Sequence, residues 1–235
     1  MRAVIKIGGH LLSTTEDFKY VLSLIRDIVE LVEKNEKFKL AFIVGGGSHA
    51  REMQKKAQEL NLSNTVTDEV GIIISRLNAY IISNAARDML EKRGFKVRTK
   101  VICSIEEFLE DMNVYNVFFA GGFIPGQSTD AVASLIAEAM RADILMFLTD
   151  VDGIYDKDPK IYANAKLLKT VKVSDLISKV LAEKMTPGVY KPIDIQALKI
   201  IERSNLKCIV INGRRIHDIK NALRGLTYRG TQILT

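Results

Sequence analysis

Four apolar runs in this chain each stop at a small-residue turn. Ala3–Ile7 runs into Gly8, Gly9 and His10, and Leu40–Val44 into Gly45, Gly46, Gly47 and Ser48. Val117–Ala120 leads into Gly121, Gly122 and then F-I-P-G-Q-S-T-D, while Ile144–Leu148 meets T-D-V-D-G-I-Y-D-K-D-P. One glycine turn after a strand is common. Four such junctions in one chain point to a shared edge of one sheet that binds a ligand. Glycine lets backbone N–H groups approach an anion closely, and a helix starting at such a turn adds partial positive charge.

Between the runs the pattern alternates. A strand at 3–7 precedes a helix that opens near Thr14 and Thr15 and extends to about Lys34, with Phe18, Val21, Leu22, Ile25, Ile28, Val29 and Val32 on one face. Strand 39–44 precedes a helix capped by Ser48 and running to about Leu60. Residues 69–93 predict a long helix ending at Gly94, whose apolar stripe through Val70, Ile73, Ile74, Leu77, Tyr80, Ile81, Ala85, Met89 and Leu90, widened by Ile72 and Ile82, is wide enough for a subunit interface as well as a core. A strand at 95–102, a short helix at 105–111, a strand at 116–120, a small-residue helix from Ser128 and a strand at 144–148 follow. In the second half, K-L-L-K-T-V reads as a strand before a helix capped by Ser174. A loop at Thr186, Pro187 and Gly188 leads to a helix near Pro192. Strand 207–212, a short helix near Ile216 and a strand at G-T-Q-I-L close the chain. Alternating β and α units predict an α/β fold, a mostly parallel sheet between helices, with ligands beyond the carboxyl ends of its strands.

The chain is 235 residues long and 47% hydrophobic, enough for one large domain. No run approaches the roughly 20 apolar residues of a membrane helix, and the first strand starts too early for a leader peptide. Cys103 and Cys208 both lie in or beside apolar runs and read as buried, reduced thiols, which suits the cytoplasm. The net charge of +6 is spread along helical faces, and there is no tryptophan, so a nucleic-acid surface is not indicated. His10, His49 and His217 stand at no metal-binding interval, and no protein metal site is read from them.

The loops lack both the P-loop pattern and a G-x-G-x-x-G after the first strand, so any phosphate site must use the paired and tripled glycines. Lys6, inside an apolar strand, is either an edge lysine facing water or a cation for a transferring phosphoryl group. Arg51, one turn into the helix after the triplet, is either a surface arginine or a clamp for a phosphate. Asp68 reads as a helix cap or as an acceptor for ribose hydroxyls or a base N–H. Asp130 either complements a helix dipole or orients Lys6 and helps place Mg²⁺. The hydroxyls of Ser128 and Thr129 are candidate donors to a bound phosphate or base. Tyr155 is placed to lie beside a purine.

Taken in order, K-I-G-G, V-G-G-G-S-x-A-R, G-G-F-x-P-G-Q-S-T-D-A-V-A, T-D-V-D-G-I-Y-x-x-D-P and the closing G-T-x-I resemble the amino-acid kinase superfamily, and within it the uridylate kinases of archaeal type. The resemblance spans nearly the whole chain. It implies a three-layer sandwich, with an acceptor lobe over about residues 1–142 and an ATP lobe over about 143–235. It implies transfer of the ATP γ-phosphoryl group to UMP with Mg²⁺, in a homohexamer built from dimers. Carried over by position, Lys6 and Asp130 are catalytic. Gly9, His10, Gly47, Arg51, Thr149, Tyr155 and Asp158 meet ATP. Gly46, Asp68, Phe123, Ile124, Pro125, Gly126, Gln127, Ser128 and Thr129 meet UMP. His10 departs from the Ser or Lys common at that position.

Other kinases of the superfamily are the alternatives. Isopentenyl phosphate kinases carry a histidine just before the glycine triplet, where Val44 stands here. Acetylglutamate kinases have a carboxylate acceptor and no need for the P-G-Q-S-T loop. A storage or sensor protein on the same fold is the non-catalytic alternative; the small number of histidines and the presence of both Lys6 and Asp130 weigh against it.

Overall fold

The computed structural model describes residues 1–32, 38–182 and 193–235. The expected end of the first helix near Lys34, the Thr186–Gly188 loop and Pro192 lie outside the described residues.

One seven-stranded sheet runs through the molecule. Its strands are β1 (Arg2–Ile7), β2 (Lys39–Val44), β3 (Val117–Ala120), β4 (Ile144–Thr149), β5 (Thr170–Lys172), β6 (Cys208–Asn212) and β7 (Gly230–Leu234). Their order is β3-β2-β1-β4-β6-β7-β5. The first five in that order are mutually parallel; β7 is antiparallel to β6 and parallel to β5. The chain builds outward from β1 in one direction through β2 and β3, then returns to add β4 and β6 on the other side. The crevice beyond the ends of β1 and β4 is therefore the switch point where such sheets bind ligands.

Helices α1 (Thr15–Val32), α2 (Gly47–Glu59), α3 (Asn64–Glu91), α4 (Ile105–Asp111), α5 (Thr129–Met140), α6 (Val173–Ala182), α7 (Ile195–Ser204) and α8 (Ile216–Arg224) cover the sheet. Side chains alternate along β1. Ala3, Ile5 and Ile7 enter a core with Val21, Ile25 and Ile28 of α1 and Ile82 and Leu90 of α3. Val4 faces the opposite core, with Val132, Ala133, Ile136 and Ala137 of α5 and Leu198 of α7. By the same period of two, Lys6 points to the α5 side. β1 has neighbours on both edges, so the edge-strand alternative for Lys6 does not hold.

Helix starts follow local chemistry. Thr14 Oγ1 accepts from Asp17 N at 3.2 Å, and the Asp17 carboxylate accepts from Ser13 N and Thr14 N, a reciprocal cap. Five expectations need correction. α3 starts at Asn64, not Glu69, because Ser63 accepts from Val66 N and caps the extra turn. α2 starts at Gly47 with Gly46 in the cap position and no capping side chain; Ser48 Oγ bonds Ser13 Oγ instead. Ser174 lies inside α6 rather than before it, and α7 is capped by Asp194. The 95–102 strand reduces to isolated bridges at Val97 and Ile102, because Arg98 between them turns inward to Asp111, Glu107 and the Lys100 carbonyl. Of K-L-L-K-T-V, only Thr170 and Val171 fall in a strand, β5, with Lys172.

Candidate active site

A cleft of about 500 Å³ opens beside the ends of β1, β2 and β3. Lys6, Gly9, Gly45, Gly46, Gly47, Arg51, Asp68, Gly122, Gly126, Gln127, Ser128 and Thr129 line it, together with Gln54, Gly71, Ile72 and Ser75. Three of the four junctions thus converge on one cavity. Their approach is close. A Cβ on Gly9 would stand 2.1 Å from the Gly47 nitrogen, and Gly47 has φ +72°. Only glycine at both positions lets the first two loops pack backbone against backbone.

Lys6 and Asp130 meet inside this cleft, with Lys6 Nζ 2.8 Å from Asp130 Oδ1. Both side chains are largely shielded from water. Small residues Ala131, Ala133, Ser134 and Ala137 let α5 lie against the sheet, and its first turn delivers Asp130 to the lysine. The contact is an ion pair out of line for a hydrogen bond, since Oδ1 has no hydrogen-bond partner among the described residues. Among the described residues no group of three or more His, Cys, Asp or Glu could hold a metal. A single carboxylate beside the cleft, Asp130, fits Mg²⁺, which binds through one or two carboxylates plus substrate phosphates rather than a protein cage.

Polar residues of α3 set the loops, and the sequence pattern did not reveal them. Ser75 Oγ accepts from Gly122 N at 2.8 Å and donates to the Ile72 carbonyl. Arg76 donates to the carbonyls of Gly122, Phe123 and Cys103. Asn78 donates to the carbonyls of Gly45 and Gly46. Gly71, Ser75 and Asn78 recur at helical spacing, a signal visible as small and polar residues cutting into an apolar stripe. Asp68 is not a cap; it lies within α3, and its Oδ2 accepts from Gly126 N at 2.8 Å. Ser128 caps α5 by accepting from Ala131 N, and its hydroxyl donates to Asp194. That proton is therefore committed, so the expected side-chain donation from Ser128 to a ligand is not available in this state.

The fourth junction is separate. Thr149, Tyr155 and Asp158 do not line the cleft. Thr149 Oγ1 donates to the Val151 carbonyl at 2.8 Å, and Asp158 accepts from Lys160 N at 2.9 Å. Asp150 pairs with Lys160. Asp152 is held by Arg215 at 2.8 Å, Arg229 at 2.6 Å and Asn212 at 3.1 Å. Burial pushes its carboxyl up, but Asn212 and the two arginines outweigh that and hold it below the ordinary carboxylate range. His10 lies between the two regions, in the 3-10 turn Gly9–Leu11. Burial lowers its pKa, Lys6 and Arg214 adding to the effect while Asp150 and a hydrogen bond with the Thr149 backbone oppose it, so the site favours the neutral imidazole. Its Nε2 is buried without a hydrogen-bond partner among the described residues.

This fold and this cleft define a class of phosphate-handling α/β protein, and comparison with known proteins places the chain within it. The profile of the amino acid kinase family matches residues 1–212, and the chain belongs to that family. It is 39% identical over 227 residues to the uridylate kinase of Sulfurisphaera tokodaii, covering 96% of each chain. The solved uridylate kinase of Archaeoglobus fulgidus superposes with a TM-score of 0.81 at 33% identity, over 99% of this chain and 100% of that one. The UMP kinase of Ureaplasma parvum, at 20% identity and a TM-score of 0.77 over 100% of this chain and 99% of that one, shares the fold.

Proposed function

We propose that this protein is a uridylate kinase, transferring the γ-phosphoryl group of ATP to UMP to give UDP and ADP. The observation that carries the reading is the Lys6–Asp130 pair inside a cleft bounded by three glycine loops. Two anionic phosphates must be brought within reacting distance there, and their repulsion must be offset. Backbone N–H groups at Gly9, Gly46 and Gly47, the Lys6 ammonium and the Arg51 guanidinium are the groups positioned to do so. An oxygen of the UMP phosphate bonds to the γ-phosphorus as the bond to the ADP oxygen breaks. No general base is required, because that oxygen is already ionised at neutral pH. Asp130 orients Lys6 and would hold Mg²⁺, which when bound supplies charge neutralisation across the ATP phosphates.

In this reading residues 1–142 or so carry the acceptor and the rest carry the donor. Asp68 and the 123–129 loop meet UMP. His10, Thr149, Tyr155 and Asp158 meet ATP. Exposed Ile73, Leu77, Tyr80 and Ile81 on α3 support pairing of subunits, and hexamers built from such pairs, which sedimentation would measure. Free thiols at Cys103 and Cys208 support a cytoplasmic setting. Among the described residues no helix is long and apolar enough to cross a membrane.

A coupled ADP-release assay with ATP, Mg²⁺ and UMP, CMP, dUMP, isopentenyl phosphate, carbamate or acetylglutamate tests the function. UMP should turn over best. Turnover of another acceptor with UMP inert would overturn the reading.

A further inference from the structure

Asp194 lies far along the chain from the acceptor loop, yet it touches the loop's end. Its Oδ1 caps α7, accepting from Gln196 N at 2.7 Å and Ala197 N at 3.2 Å. Its Oδ2 accepts the hydroxyl proton of Ser128. Ser128 in turn caps α5, accepting from Ala131 N at 3.0 Å. One carboxylate therefore ties the N-termini of two helices together. Next to it, Gln196 Nε2 donates to the Gly126 carbonyl at 3.3 Å, while the Gly126 N–H is taken by Asp68. The acceptor loop is gripped by α3 from one side and by the start of α7 from the other.

We infer that Asp194 is a positioning residue for the acceptor site, fixing the Ser128 hydroxyl and with it the loop and the first turn of α5 that carries Asp130. A hydroxyl has a single proton. With that proton donated to Asp194, Ser128 serves as an acceptor for Ala131 N, and its side chain adds nothing further as a donor to the cleft. The bond is charge-assisted and stronger than a neutral one. A carboxylate at 194 is required for it. An amide there still caps α7 through its oxygen but presents N–H to Ser128 and reverses the bond.

The inference rests on the uridylate kinase reading for its kinetic consequence but not for its structural one. The experiment compares Asp194→Asn, Ser128→Ala and the double variant with the full-length wild-type protein. The first measurement, without nucleotide, is amide hydrogen exchange. Exchange across 124–131 should rise in Asp194→Asn while the sheet stays protected. The second is the kinetic split. Each single variant should raise KM for UMP about tenfold, the worth of one charge-assisted hydrogen bond. KM for ATP should stay within about twofold, and the double variant should be no worse than either single, as for two groups in one contact. Unchanged exchange in Asp194→Asn overturns the inference. So does a double variant that loses the product of the two single effects, or a loss in Ser128→Ala with none in Asp194→Asn, which would return the hydroxyl to the ligand. Wild-type protein inert toward UMP breaks the functional reading instead, and the exchange measurement still decides the role of Asp194.

Discussion

Around the cleft, the backbones of two of the three glycine loops are fixed by side chains of one long helix. Beyond β4, ion pairs at Asp150 and Asp152 join hydrogen bonds in fixing the 149–158 loop. Ser75, Arg76 and Asn78 reach from α3 to the glycine loops through short bonds to backbone groups, and Ser75 and Asn78 are buried. Asp150 and Asp152 instead meet Lys160, Arg215 and Arg229, whose side chains are exposed or half-exposed. The first region is concave and set before any ligand arrives. The second is held by ion pairs as well as by hydrogen bonds such as Ile154 N to Thr231 Oγ1 at 2.8 Å; of its ion pairs, Asp150–Lys160 is exposed on both sides, and such a pair contributes little and is screened by salt. An acceptor phosphate needs exact placement for in-line transfer, whereas a donor nucleoside needs only to be held by its face and its sugar. The two constructions suit those two tasks.

The strongest way to break this comparison is at the centre of the cleft. Lys6→Met keeps the length and most of the apolar stem but removes the charge. Turnover in the ADP-release assay should fall about 10²- to 10³-fold, the range for losing a principal electrostatic stabiliser of a transition state. A circular-dichroism melt should show that the fold persists. A loss under tenfold would make the Lys6–Asp130 pair structural and leave Arg51 as the cation of the cleft.

Next comes the contact between the first two glycine loops. In Gly9→Ala the new methyl overlaps the Gly47 nitrogen, backbone against backbone, and no side chain can move aside. The loops must part by about an ångström, which costs on the order of 10²-fold in turnover when reacting groups are misaligned. Full activity in Gly9→Ala would show that the cleft is pliable, and the contrast with the 149–158 loop would lose its basis.

How much of this was legible in the sequence follows from how local each signal is. Lys6, Asp130 and the glycine turns could be read because a strand ending in glycine and a helix opening with S-T-D are short patterns. Ser75, Arg76 and Asn78 left only a faint trace, small and polar residues cutting into an apolar stripe, because polar residues in a helix read as a solvated face until the sheet shows what they point at. Asp194 is 66 residues from Ser128, and no pattern spans that distance. Residues 95–102 alternate like a strand, but Arg98 finds Asp111 and Glu107 across the chain and breaks the ladder. The separation of Thr149, Tyr155 and Asp158 from the cleft was equally hidden, since strand order decides it.

A crossed pair of variants sharpens the comparison at the level of ligands. Asp68→Ala removes the acceptor that holds Gly126 N and should raise KM for UMP about tenfold, with KM for ATP nearly unchanged. Tyr155→Ala should do the reverse, raising KM for ATP about five- to tenfold, as expected for a lost base–aromatic contact. Equal effects of either variant on both substrates would merge the two regions into one site.

The smallest effect lies at His10, where the regions meet. Burial disfavours its cation, and Lys6 and Arg214 add to that, so the folded pKa lies below the ordinary histidine value of about 6.5. Between the two values the unfolded chain binds more protons than the folded one, so stability must rise with pH there. The contribution of the neutral imidazole is complete above 6.5 and is lost as pH falls through the folded pKa. Thermal melts at pH 7.5 and 5.5 should therefore show a larger fall in Tm for wild type than for His10→Ser, which cannot titrate. At pH 7.5 the same variant should keep turnover within about tenfold, since it loses at most one neutral hydrogen bond to a phosphate. Parallel melting shifts in the two proteins would mean that His10 is not held neutral by its surroundings. A much larger loss of turnover would make the imidazole itself part of the transfer.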